Sequence, residues 1–200
     1  MDIPVNHHAG QSHFAGPVGL VVGLIMLVAG RARARLVVDL AGVSESDRAV
    51  DIGCGPGNAV RAAARRRAQV TGVDPATAML RLARAMTRDQ AGVTWVHGSA
   101  ENLPLPDGSA TVAWSVASVH HWTDVAAGLA EVRRVLVTGG RFLAIERRVR
   151  PGATGLASHG WTDQQATTFA DCCRSAGFDG VQVETTTLGR HVAQVVSGQR

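Results

Sequence analysis

The feature that most constrains this chain lies between Ala49 and Asp74. Arg48 to Ile52 is a short apolar run that reads as a β-strand, and AVDIGCGPGN then places glycines at 53, 55 and 57 just past Asp51. Glycine lets the backbone turn through positive φ and approach a ligand with no Cβ in the way. The Ala/Arg-rich stretch from Asn58 to Arg67 reads as a helix, whose first amides lack partners and suit a carboxylate or a phosphate. A second strand, Gln69 to Val73, ends at Asp74, 17 residues past Gly57. An acid there can accept hydrogen bonds from both hydroxyls of a ribose. Taken alone, the glycines could form a tight strand-to-helix turn and nothing more. The nicotinamide fingerprint GxGxxG needs the third glycine one residue later, so the spacing disfavours that cofactor.

Further strands and helices alternate behind this unit. Strand patterns cover Val93–His97, Thr111–Val116 and Arg141–Glu146, and helical patterns cover Ala76–Arg88, Val125–Leu136 and Thr162–Ala176. Val181–Leu188 and His191–Val196, joined at Gly189, read as a closing hairpin. Alternation of this kind predicts an α/β, Rossmann-like doubly wound sheet of about seven strands, mostly parallel with an antiparallel C-terminal hairpin. Ligands of such sheets sit beyond the strand carboxyl ends where the strand order reverses. Residues 1–41 read as an N-terminal tail and helical cap, helical from Gly16 to Ala41 with a break near Gly30, and residues 42–200 as a single cofactor-binding domain.

Composition excludes several chemistries. All 20 basic residues are arginine, so a Schiff-base lysine and a P-loop are ruled out. The arginines fall in small groups (Arg31, Arg33 and Arg35; Arg65 to Arg67; Arg133 and Arg134; Arg147, Arg148 and Arg150) and read as solvated faces, so the net charge of +4 gives little support to a nucleic-acid partner. Cys54, Cys172 and Cys173 form no disulfide framework, and a reducing cytoplasm is expected. The adjacent pairs His7/His8 and His120/His121 lack ligand spacing, so no metal is expected. The apolar stretch Gly16 to Gly30 is shorter than the roughly 18 residues a span requires, and is expected to pack on the domain, to cover a pocket, or to touch a membrane surface.

Four segments in order, VDIGCGPG, TGVDPATAML, GSAENLPLPDGSATVAWSVASVHHW and EVRRVLVTGGRFLAIE, resemble the successive motifs of class I S-adenosylmethionine-dependent methyltransferases. The subgroup they resemble is the small-molecule UbiE-like (methyltransferase type 11) one, and the Ala/Arg/Gly/Val bias resembles GC-rich, actinobacterial coding. The resemblance implies S-adenosyl-L-methionine as cofactor and S-adenosyl-L-homocysteine as product. It assigns Asp51, Gly53, Cys54, Gly55 and Gly57 to the methionine part and Asp74 to the ribose hydroxyls. Pro75 and Met79 would face the adenine, with Ala100 and Glu101 at its flank, and Ser115 and Val116, with the residues to Val119, would lie by the sulfonium.

Methyl transfer by SN2 displacement needs alignment first and sometimes a base. His120, then His121, are the candidate bases, since they follow the strand nearest the methyl group. Glu146, His159 and Trp161 are placed to reach an acceptor, although the plainer account of Glu146 is a surface ion pair with Arg147 or Arg148, and Trp161 could be a lid aromatic or simply start the packing of the last helix. His13 and Phe14, with the Gly16–Gly30 helix, are assigned to a lid whose apolar face suits a hydrophobic or aromatic acceptor. The competing readings are an RNA methyltransferase, for which no (N/D)PPY-type motif follows the fourth strand, and a non-catalytic S-adenosylmethionine-binding protein.

Overall fold

The computed structural model describes Val5 and residues 16–88, 90–188 and 191–200. A seven-stranded sheet forms its centre, with β1 (Arg48–Ile52), β2 (Gln69–Asp74), β3 (Val93–His97), β4 (Ala110–Val116), β5 (Leu136–Arg147), β6 (Asp179–Leu188) and β7 (His191–Gln199) in the order β3-β2-β1-β4-β5-β7-β6. Pairings from β3 through to β5 are parallel, and β7 joins antiparallel to both β5 and β6. The strand order reverses between β1 and β4, so a crevice opens beyond Ile52 and Val116. Gly189, the expected hairpin joint, lies outside the described residues. β5 starts five residues earlier than its apolar pattern suggests, because the Gly139-Gly140 stretch is carried inside the strand.

Side-chain alternation along the strands gives the sheet two buried faces. Val50, Ile52, Ala113 and Phe142 point toward α5 (Val125–Val135) and α6 (Asp163–Ser175), against Leu129, Val132 and Phe169. Ala49, Trp114 and Ile145 point to the other face, against Val37 and Val38 of α2 (Arg31–Leu40) and Val60 of α3 (Asn58–Ala64). Side chains fix the helix starts on the first face. Asp124 accepts the Ala127 amide at 3.0 Å, and Thr162 with Gln165 forms a reciprocal cap on α6.

The N-terminal helical pattern breaks at Gly30, as expected, into α1 (Gly16–Ala29) and α2. A Cβ on Gly30 would stand 2.5 Å from the Asn58 amide nitrogen, which itself donates to the Met26 carbonyl at 2.7 Å. With Val37 and Val38 in the core, α2 is a layer of the domain proper, and only α1 lies outside the two layers. α1 rests through Gly23 on Met79 and Leu82 of α4 (Thr77–Met86) and leaves Leu24, Ile25 and Val28 exposed. Among the described residues no helix is long and apolar enough to cross a membrane.

Candidate active site

Gly53, Gly55 and Gly57 all take positive φ, at 71°, 52° and 79°. The turn they form is fixed from both sides. The amides of Gly53 and Cys54 both donate to the Val73 carbonyl of β2, and the Gly57 amide closes back on Cys54 at 3.0 Å. No side chain fits at Gly53, whose Cβ would stand 1.8 Å from the Ser118 hydroxyl, or at Gly57, where it would meet the Trp95 ring at 2.2 Å. Met26 of α1 reaches over Gly55, 3.4 Å from where a Cβ would be.

Asp74 closes the loop from β2. One carboxylate oxygen accepts the Gly55 amide at 2.7 Å and the other accepts the Ala76 amide at 2.8 Å. Each oxygen keeps a lone pair for an added hydroxyl donor. Burial pushes the Asp74 carboxyl up, against the pull of those two amides. Asp51, buried nearby, is pushed up to about 8 by burial and by the charge of Asp74. Burial and the same two carboxylates push the Cys54 thiol up, which leaves it an inert packing group. Two buried acids at one crevice, each disfavoured in its charged form, suit a ligand that brings positive charge. Positive-φ glycines, ribose-ready lone pairs and paired acids together fit S-adenosylmethionine.

The structure shifts several expected positions. The Glu101 carboxylate accepts the Thr123 amide at 2.7 Å and the Thr123 hydroxyl at 2.9 Å, at the entry to α5. Ala100 is packed into the α5/α6 core. Pro75 is exposed, its carbonyl 3.0 Å from His97 Nε2, and Met79 is buried between α4 and α1. Ser115 is buried near the end of β4, opposite Ala144 of β5, and Val116 packs on the α2/α3 face. Farther along the expected stretch, Ala117 takes φ 53° and Ser118 lies against Gly53. Trp161 is no lid aromatic. It is wholly buried, stacks 4.7 Å from Phe169 and donates its indole N–H to the Val5 carbonyl at 3.1 Å. His13 and Phe14 lie outside the described residues.

A second polar centre stands beyond β4 and β5. His120 and His121 sit on a single 3₁₀ turn, Val119–His121. Glu146, far from a surface ion pair with its arginine neighbours, is fully buried and meets His120 Nδ1 with both oxygens, at 3.0 and 2.9 Å. Burial opposes its charge, but His120 outweighs burial and holds the Glu146 carboxyl below its usual range. His159 packs against both histidines, at ring separations of 5.4 and 5.7 Å. Arg33, expected on a solvated face, is partly buried; burial lowers its pKa, and the charge of Glu146 opposes that fall. Arg33 and Trp95 could not be singled out from sequence, because each acquires its place through a partner distant in the chain.

Comparison with known proteins agrees with this architecture. The methyltransferase-domain family matches residues 50–144. The chain is 40% identical over 114 residues to the ubiquinone/menaquinone biosynthesis C-methyltransferase UbiE of Rubrivivax gelatinosus, covering 56% of this chain and 44% of that protein. It is 35% identical over 132 residues to the 27-O-demethylrifamycin SV methyltransferase of Amycolatopsis mediterranei, covering 62% and 48%. The chain therefore spans about half the length of the curated relatives it matches. A solved S-adenosylmethionine-dependent methyltransferase of Aquifex aeolicus shares the fold, with a TM-score of 0.70 at 16% identity over 84% of this chain and 89% of that one.

Proposed function

The chain belongs to the class I S-adenosylmethionine-dependent methyltransferases of the UbiE-like type, and on that premise we propose that it methylates a small, hydrophobic or aromatic molecule. The observation that carries this reading is the Gly53–Gly57 turn, locked by Asp74 and overlain by Met26 at the point where strand order reverses. S-adenosylmethionine supplies, when bound, a methyl group on a cationic sulfonium that an acceptor atom displaces in an SN2 step.

The chain's own residues hold the reactants and order their surroundings. Asp74 takes the ribose hydroxyls on the lone pairs its amide partners leave, and Asp51 answers the positive end of the cofactor. The glycine turn lets that end approach the backbone. On the acceptor side, Glu146 holds Nδ1 of His120 with both oxygens, which fixes the ring so that Nε2 acts as the base for the acceptor. Arg33 adds positive charge at the same centre. α1, with Gly23 on Met79 and Met26 over Gly55, forms a cap that excludes water. The acceptor class rests on this apolar cover and on relatives that act on ubiquinone or menaquinone precursors and on a rifamycin.

Calorimetric titration with S-adenosylmethionine, then turnover against a small-molecule panel read as S-adenosylhomocysteine, tests the proposal. One-to-one binding with turnover on an apolar acceptor is expected. Binding without turnover on any acceptor would favour a non-catalytic binder, and turnover on RNA alone would overturn the acceptor class.

A further inference from the structure

We propose that His120, His121 and His159 form a divalent-metal site of the zinc type, with Glu146 as its supporting carboxylate. The inference rests on the acceptor-side reading above and deepens it by giving the three-histidine cluster a cation to bind. One ring nitrogen from each of the three histidines lies within 4.8 Å of the others. Three nitrogens around a tetrahedral zinc stand about 3.3 Å apart, given Zn–N bonds of about 2.05 Å. Closing that difference needs rotation of the two half-buried rings, His121 and His159, while His120 stays fixed.

Three features make this a built site. A carboxylate that grips the far nitrogen of a ligating histidine sets its tautomer and raises its basicity, and Glu146 does this to His120 with both oxygens. Glu146 is itself fully buried against His120, which places a carboxylate directly behind the proposed ligand. The third histidine is brought in by backbone that cannot sit otherwise. Arg147 Nε donates to the His159 carbonyl at 3.1 Å, and the Trp161 amide donates to the Arg147 carbonyl at 2.8 Å. Between them Gly160 has φ 141°, and a Cβ there would lie 2.1 Å from the Arg147 carbonyl oxygen. Adjacent histidines gave no ligand spacing in the sequence; the ligand that completes the set returns 38 residues after His121.

Three protein ligands leave the fourth position of a tetrahedral ion for water or an acceptor oxygen. The acceptor class this selects is one whose reacting end carries a hydroxyl or carboxylate oxygen able to coordinate a divalent cation. Arg33 and Arg147 are the cations nearby, and Arg147 is turned to the carbonyls of Ala157 and His159.

The test uses the full-length, untagged, chelator-treated protein, titrated with Zn²⁺ by calorimetry and with Co²⁺ by visible absorption. One ion per chain and the intense cobalt spectrum of a tetrahedral nitrogen site are expected. His159→Ala and His121→Ala, at half-buried positions, should each weaken binding by at least 100-fold, and Glu146→Gln by about 10- to 100-fold. His7→Ala/His8→Ala, a control for the N-terminal histidine pair, should change nothing. S-adenosylmethionine affinity, measured in the same variants, should hold throughout and reports separately on the cofactor reading. Absence of one-to-one binding, or binding that His159→Ala and His121→Ala leave intact, would overturn the site.

Discussion

Glu146 and His120, 26 residues apart in sequence, form a buried pair in which both carboxylate oxygens lie within 3.0 Å of Nδ1. Neither residue stands in the cofactor turn. Replacing His120 by Ala should therefore lower turnover by about 10²-fold or more, the usual share of a positioned proton-transfer group, while S-adenosylmethionine affinity stays within about threefold. Steady-state kinetics set beside calorimetry read the two effects apart, and equal losses in both would remove His120 from the acceptor side.

Asp74 is the residue on which cofactor affinity should turn. It organises Gly55 and Ala76 and keeps lone pairs for the ribose. Hydrogen bonds to a charged group contribute about 1.5–3 kcal/mol, so Asp74→Ala should weaken S-adenosylmethionine binding by roughly 10- to 100-fold. Unchanged affinity in this variant would contradict the assigned site.

Asp51 predicts a pH dependence. Its folded pKa, about 8, exceeds the ordinary carboxylate value of 3.8, so the fold prefers the protonated acid. The stability this gives is fully present below about pH 4 and is lost as pH rises through 8. A positively charged ligand beside Asp51 favours the ionised form, so binding should expel a proton. Affinity for S-adenosylmethionine should consequently rise between pH 6 and 7.5, by at most about tenfold per unit. Asp51→Asn should flatten that slope, and calorimetry in buffers of different ionisation enthalpy would count the proton.

Removing residues 1–30 tests the cap. α1 touches the domain through Gly23, Met26 and the Asn58 bond, whereas the two core layers are built without it. The truncated chain also loses Val5 from the α5/α6 core and its bond to Trp161, so it should fold with lowered stability and lose turnover. Full activity after truncation would mean that α1 covers nothing the reaction needs.

Trp161 is a stability determinant. Its ring is wholly buried on Phe169, and its N–H holds the carbonyl of Val5. Trp161→Ala should cost about 3–5 kcal/mol, the usual range for emptying a buried aromatic site, measured by denaturant unfolding.

The sequence by itself determined the cofactor side. Strand, turn and acid between Arg48 and Asp74 are local in the chain, and their glycine spacing is tied to backbone angles that few other residues tolerate. Strand periodicity likewise marked β1 and β3 at their observed limits, because apolar runs bounded by glycine and polar residues leave little freedom in register. Tertiary structure decided the acceptor side. Glu101 takes its hydrogen bonds from the entry to α5, and Trp161, whose sequence allowed a lid or helix packing, is packing once Phe169 is behind it. His120, Glu146 and His159 lie far apart in sequence and meet only because β4 and β5 pair in parallel and end at the same edge. No local pattern encodes such a meeting, since it depends on strand register and loop closure between segments that carry no common period.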